Sequence, residues 1–201
     1  MTAVADAVAA LRAGGLVVMP TDTVYGLACS PYREGPARVL SEVKGRTPEQ
    51  PIALLAASVD VLLECVPELR GRSGVTARSL LPGPYTLVFP NPARRFPWLT
   101  GARPETIGVR VPALDGPGGE LLEELGAVAA TSANLHGGAD PRRLGDVPTE
   151  LLAAAIALDG GELPGTPSTV VDLTGPEPRV LREGAVAAED ALARVEVVRA
   201  Q

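Results

Sequence analysis

The stretch GGLVVMPTDTVYGLACSP, residues 14–31, holds two apolar runs with a polar cluster between them. LVVM (16–19) and YGLACS (25–30) read as strands, the second ended by Pro31. Thr21, Asp22 and Thr23 stand at the break, with Tyr25 just beyond. Such a break is either a polar turn or the rim of a small-molecule site, where a few polar groups on rigid elements read a ligand. The rest of the chain has to decide.

Strands and helices intermix along the whole chain. Val4, Val8 and Leu11 are spaced for an amphipathic helix that Gly14 and Gly15 close. GPARVLSEVKG (35–45) is a second helix, with Val39, Leu40 and Val43 on one face. PIALLAA (51–57) is a strand. SVDVLLECV (58–66) is a helix with Ser58 as N-cap. YTLVF (85–89) and IGVRV (107–111) are strands. GELLEELG (119–126) is a helix, and AVAAT (127–131) a strand that stops at the polar tetrad TSAN. PTELLAAAI (148–156) is a helix with Thr149 as N-cap. STVVDLT (168–174) and RVLRE (179–183) are strands, and AAEDALARV (187–195) closes the chain as a helix. This pattern implies a layered α/β or mixed α+β domain. The Pro/Gly-rich pieces FPWLTGARPE, DGPGG and HGGADPRRLG read as surface loops, too short to link domains. Residues 1–201 are therefore expected to form one domain.

With 201 residues, such a domain buries roughly 70% of its unfolded surface and needs no disulfides. Cys29 and Cys65 sit in apolar runs and read as buried free thiols. A net charge of −6 argues against binding nucleic acid through massed phosphate contacts. No basic leader opens the chain, and no apolar run approaches the roughly 20 residues that span a bilayer. A soluble, cytoplasmic protein without a membrane partner is expected.

Common site signatures fail. There is no P-loop and no G-x-G-x-x-G after the first strand. His136 is the single histidine. It lies in the loop NLHGGAD and reads as solvated, so neither a histidine-rich zinc site nor a Ser-His-Asp triad is expected, and no protein metal site. SEVK (41–44) with SAN (132–134) imitates penicillin-binding enzymes, but K-T-G is missing and S-x-x-K closes a helix here instead of opening one. What remains is a set of polar residues at strand and helix ends, with four cations among them: Lys44, Arg46, Arg110 and Arg182. Singly, each reads as a surface charge. Converging with hydroxyls, they would form an anion pocket.

PTDTVYGL, KGR, PGPYTLV, IGVRVP, TSAN, STVVD and LREG occur in the order seen in the YrdC-like family, the L-threonylcarbamoyladenylate synthases. The resemblance runs from about Gly15 to Gly184. It implies a twisted mixed sheet with flanking helices around a concave basic cavity, similar to dihydroxybutanone phosphate synthase. It implies a reaction of L-threonine, bicarbonate and ATP to threonylcarbamoyl-AMP and diphosphate, the first step in threonylcarbamoyladenosine modification of tRNA. Mg2+ would accompany ATP, and a tRNA threonylcarbamoyl transferase complex would take the product, with at most weak tRNA binding by this chain.

Residue by residue, the resemblance implies Thr23, Arg110, Ala130 and Ser168 as threonine contacts. Arg46, Gln50, Thr106, Ser132, Asn134 and Arg182 become ATP contacts, and Lys44 with Arg46 would serve the phosphates and carbamate. Leu55 stands where some members have a histidine that touches threonine, and Asp140 where many have a serine. The chemistry gathers anions, so positioning and electrostatics would carry it. Two other readings are a non-catalytic RNA-binding or ribosome-associated module, and a carbamoyl-adenylate domain of hydrogenase-maturation type. Threonine-dependent diphosphate release separates the first from the enzyme, and chain length weighs against the second.

Overall fold

Thr2 caps the first helix, α1 (Ala3–Ala13): its side chain accepts the Ala5 N–H at 3.2 Å, and Gly14 closes the helix at φ 92°. Ala7, Val8 and Leu11 form its buried stripe. The computed structural model, which describes residues 2–199, continues into β1 (Leu16–Met19) and β2 (Gly26–Cys29), both wholly buried. Helix α2 (Glu34–Lys44) follows and ends at Gly45, in the left-handed region at φ 66°. Its buried face is Pro36, Ala37, Leu40 and Lys44, with Val39 exposed. Of the expected stripe, Leu40 is buried and Val43 packs against the core while Val39 is exposed, and Lys44 joins the buried face beside polar partners described below.

β3 (Ala53–Ala56) and α3 (Val59–Cys65) come next, and the Ser58 hydroxyl accepts the Val61 N–H as an N-cap should. Cys65 is only half-buried, its Sγ 3.9 Å from the Tyr32 hydroxyl; Cys29 is buried as expected. Helix α4 (Arg72–Leu80) has no counterpart in the sequence reading. β4 (Tyr85–Pro90), β5 (Thr106–Arg110), α5 (Gly116–Leu125) and β6 (Ala127–Ser132) lie where the pattern predicts them. Helix α6 (Thr149–Ala154) is shorter than expected, and Ala155–Ala157 forms strand β7. Pro148 holds the N-cap position and Thr149 is already the first helical residue, so the expected Thr149 cap does not form. β8 (Thr169–Asp172), β9 (Arg179–Arg182) and α7 (Ala188–Arg199) complete the fold.

Among the described residues, nine strands form one mixed sheet in the order β7-β1-β2-β6-β3-β5-β4-β8-β9. The pairs β1/β7, β3/β5 and β4/β8 are parallel and the rest antiparallel. One face carries the main core. Leu54, Leu87, Phe89, Ile107, Val109 and Val171 meet Leu40 of α2, Leu62 of α3, Leu80 of α4, Leu151 of α6 and Val195 of α7. The other face is only partly covered. There Val17, Met19, Ala28 and Val128 pack under α1 and α5. The uncovered part of that face holds the site.

Candidate active site

Strand alternation builds the site wall. On β5, Ile107 and Val109 enter the main core, while Thr106, Gly108 and Arg110 point to the other face. β4 sends Thr86 and Val88 the same way, β3 sends Ala53 and Leu55, and β6 sends Ala130 and Ser132. Ser168 and Val170 add the β8 side. Together with Arg46, Arg103 and Arg182 they enclose a cavity of about 440 Å³. Seven of the expected residues line it: Arg46, Thr106, Arg110, Ala130, Ser132, Ser168 and Arg182.

Arg110 is buried and lies beside Thr23. Its Nη2 donates to Asp22 Oδ1 and, at 2.7 Å, to Thr23 Oγ1, while its buried Nε has no partner. Burial pushes the Arg110 pKa down, the Asp22 carboxylate pushes it back up, and Arg182 pushes it down again. Both guanidiniums line the one cavity, where a bound anion would offset their like charges. Arg182 Nε and Nη2 donate to the Ser168 carbonyl at 3.2 and 2.8 Å. The Ser168 hydroxyl in turn shares a 2.8 Å hydrogen bond with Thr86.

Arg46 follows Gly45 out of α2. Its Nη1 donates to Thr131 Oγ1 at 2.8 Å and its Nη2 to the Pro51 carbonyl at 2.9 Å. Gln50 and Thr23 lie just outside the wall. Gln50 Oε1 is 3.4 Å from Arg46 Nε, and Thr23 Oγ1 is 3.0 Å from Thr21 Oγ1, which does line the cavity.

Lys44 stands behind the wall. It is 3% exposed, and its ammonium donates to the Ser132 carbonyl, to Asn134 Oδ1 at 3.1 Å and to Thr131 Oγ1 at 3.4 Å. Burial first, then Arg46, push its pKa down to about 7, with Asp140 opposing. Asn134 accepts the Ser132 hydroxyl at 2.7 Å and donates to the Gly138 carbonyl at 2.6 Å, which braces the TSAN turn. His136 is exposed and within 3.4 Å of Gln50. Leu55 lies opposite Arg110 in the β3/β5 register and gives that end an apolar wall.

The sequence reading assigned no role to Asp22, Thr131 or Arg103. Asp22 and Thr131 stand inside quoted motifs, but their partners lie more than 80 residues away, so no local spacing reveals them. Arg103 sits in FPWLTGARPE, read as a surface loop. In the fold Thr100, Ala102 and Arg103 reach the cavity.

A cavity lined by arginines and hydroxyls can bind anions. Comparison with known proteins agrees with the geometry. A protein of Mycobacterium tuberculosis is 36% identical over 194 residues, 92% of this chain and 86% of its own. The threonylcarbamoyl-AMP synthase of Pyrococcus abyssi is 34% identical over 183 residues, and this chain spans 53% of its length. Among solved structures, Pyrococcus abyssi Sua5 complexed with L-threonine superposes with a TM-score of 0.84 at 33% identity, covering 97% of this chain and 56% of that one. Escherichia coli YciO superposes at 0.81 with 26% identity, covering 94% and 92%. The family model Sua5_yciO_yrdC, described as Telomere recombination, matches residues 9–184. With the fold, the motifs and these matches in agreement over nearly the whole length, the chain belongs to the Sua5/YciO/YrdC family.

Proposed function

We propose that this chain is a single-domain L-threonylcarbamoyladenylate synthase. It would convert L-threonine, bicarbonate and ATP to threonylcarbamoyl-AMP and diphosphate. The observation that carries this reading is the convergence of Arg46, Arg110 and Arg182 on one cavity. The names of the relatives and the threonine complex of the Pyrococcus protein support it.

The reaction brings carboxylate, carbamate and triphosphate together, and pre-aimed donors in a site screened from water stabilise the charge that develops. Arg110, with Thr23 and Ser168 beside it, holds the threonine carboxylate, hydroxyl and amine. Ala130 contributes backbone. Arg46, Arg182, Thr106 and Ser132 face ATP, with Gln50 supporting Arg46. Lys44 and Asn134 act by fixing Ser132 and Thr131. A magnesium ion held by ATP would supply neutralisation of phosphate charge. The cavity supplies hydrogen-bond donors, and among the described residues no cluster of three or more His, Cys, Asp or Glu is set to hold a metal. The product passes to a tRNA threonylcarbamoyl transferase, in the cytoplasm. No helix among the described residues is long and apolar enough to cross a membrane.

The test is diphosphate release from ATP and bicarbonate, with and without L-threonine. Wild type should release it only with threonine. Arg46→Ala and Arg182→Ala should lose most activity while staying folded, since each removes a cation that faces the phosphates and neither is part of the apolar core. Arg46→Lys should also be poor, because a point charge cannot reach both Thr131 and Pro51 and still face phosphate. Wild-type turnover in either alanine variant would sink the assignment.

A further inference from the structure

The function proposed above requires two anions of different charge to share one cavity: a singly charged carboxylate and a triphosphate. A guanidinium alone binds both. Of the four arginines that line the cavity, Arg103 is paired with Glu105 and Asp172, and the other three are not equivalent. Arg110 is paired with Asp22, and their side chains are 9% and 10% exposed. Asp22 is held on its other oxygen by the Ala113 N–H at 3.1 Å. Both hydrogens of Arg110 Nη2 are committed, one to Asp22 and one to Thr23, while Nε is buried without a partner. Among the described residues, no carboxylate makes an ion pair with Arg46 or Arg182; they bond to neutral oxygens of Thr131, Pro51, Gln50 and Ser168.

We infer that Asp22 is a positioning residue that sets which anion each end of the cavity accepts. Its carboxylate cancels the charge of Arg110 and fixes the guanidinium plane. Nη1, which bonds to no protein atom among the described residues and is not enclosed as Nε is, is left as a directional donor with little net field behind it. A singly charged carboxylate can take that donor. A phosphate, which carries up to two charges beside Asp22, meets stronger like-charge repulsion than a carboxylate does. Arg46 and Arg182, uncompensated, keep the full field that phosphates need.

The inference rests on the proposed function for the identity of the carboxylate ligand, and the experiment separates the two. Steady-state diphosphate release is measured with inorganic phosphate as inhibitor, varying threonine and ATP in turn. In wild type, phosphate should compete with ATP and not with threonine. In Asp22→Asn the KM for threonine should rise roughly tenfold or more, because Arg110 loses the ion pair that fixes its guanidinium plane, with the KM for ATP little changed, because Asp22 touches neither Arg46 nor Arg182. Phosphate should then compete with threonine as well. Asp22→Glu keeps the charge but moves it, so it should restore the phosphate pattern and not the threonine KM. A merely structural role would lower stability and kcat and leave the inhibition patterns alone. The idea is overturned if phosphate competes with threonine in wild type, or if Asp22→Asn keeps both the wild-type KM for threonine and the wild-type pattern. Should Asp22→Asn fail to melt cooperatively, the wild-type pattern and Asp22→Glu decide. If wild type releases no diphosphate with threonine, the proposed function fails by itself. Calorimetric titration with inorganic phosphate then tests Asp22 directly: tighter binding to Asp22→Asn supports the inference, and equal binding overturns it.

Discussion

Lys44 is the only lysine in a chain with 18 basic residues. The geometry explains why an arginine-rich chain keeps it. Three oxygens, from Ser132, Asn134 and Thr131, surround the ammonium. A compact group with three donors suits them, and a planar fork does not. Its pKa is lower in the fold, about 7 against the free value of 10.5. Between those two values the unfolded chain binds the extra proton, so this group's contribution to stability rises with pH across the window. Below it, both states hold the proton and the burial cost is constant and full. Because the lysine is unique, the prediction can be read without ambiguity. The 13Cε resonance of 13C-lysine-labelled protein should titrate near neutrality, and Asp140→Asn should move the midpoint lower by removing the opposing charge. A midpoint near 10 would show that the three oxygens hold the proton against burial. Lys44→Arg should melt at lower temperature than wild type at every pH, since the fork cannot satisfy all three oxygens.

At the scale of elements, the strands show what the sequence makes legible. IGVRV announces β5 by its apolar residues, and alternation already puts Thr106, Gly108 and Arg110 on one face. Whether that face meets solvent or a cavity depends on β4 and β8, which lie far away in the chain. Helix α4 left no pattern because its buried residues include Gly74 and Thr76, while Val75 is 54% exposed. The run LLAAAIAL is apolar throughout, and periodicity cannot divide such a run between helix and strand. The division is set by β1, whose edge takes Ile156 opposite Val17. Likewise the Gly of LREG reads as an ordinary turn residue. In the fold a Cβ on Gly184 would drive into the Pro167 carbonyl oxygen and lie 2.6 Å from the Ser168 carbonyl carbon. Ser168 is the residue that holds Arg182. Gly184→Ala should therefore push β9 from β8 and destabilise the fold by about 1–3 kcal/mol, the range for overpacking a close contact. Thermal melting reads the stability, and the KM for ATP reads the displaced Arg182. A variant unchanged in both would mean that the backbone relaxes at no cost and that Arg182 is placed by other contacts.

Across the whole molecule, positive charge is divided between surface ion pairs and the cavity. The chain has 24 acidic residues against 18 basic ones. Many exposed arginines are already paired: Arg12 with Glu124, Arg78 with Asp60, Arg95 with Glu68, and Arg142 and Arg143 with Glu162. Exposed pairs of this kind add little stability, about 0–1 kcal/mol each, but they remove positive charge from the outer surface. Arg46, Arg110 and Arg182 meanwhile gather in the cavity. A cavity of about 440 Å³ admits small anions and not a folded polynucleotide. Binding to RNA through phosphates needs several basic side chains presented together outside, and each neutralised phosphate steepens the salt dependence by a log–log slope of about 0.7–0.9. Bare tRNA should accordingly bind this chain weakly, with a shallow salt slope, and the complex should vanish well below physiological ionic strength. Fluorescence anisotropy of labelled tRNA over a salt series measures both quantities. ATP at saturating concentration should leave the weak tRNA signal unchanged, because the two bind at different places. Tight tRNA binding that survives about 200 mM salt, where multi-contact phosphate binding has already fallen by orders of magnitude, would require a recognition surface other than charge. Loss of tRNA when ATP is added would put the polynucleotide at the cavity itself, contrary to this division of charge.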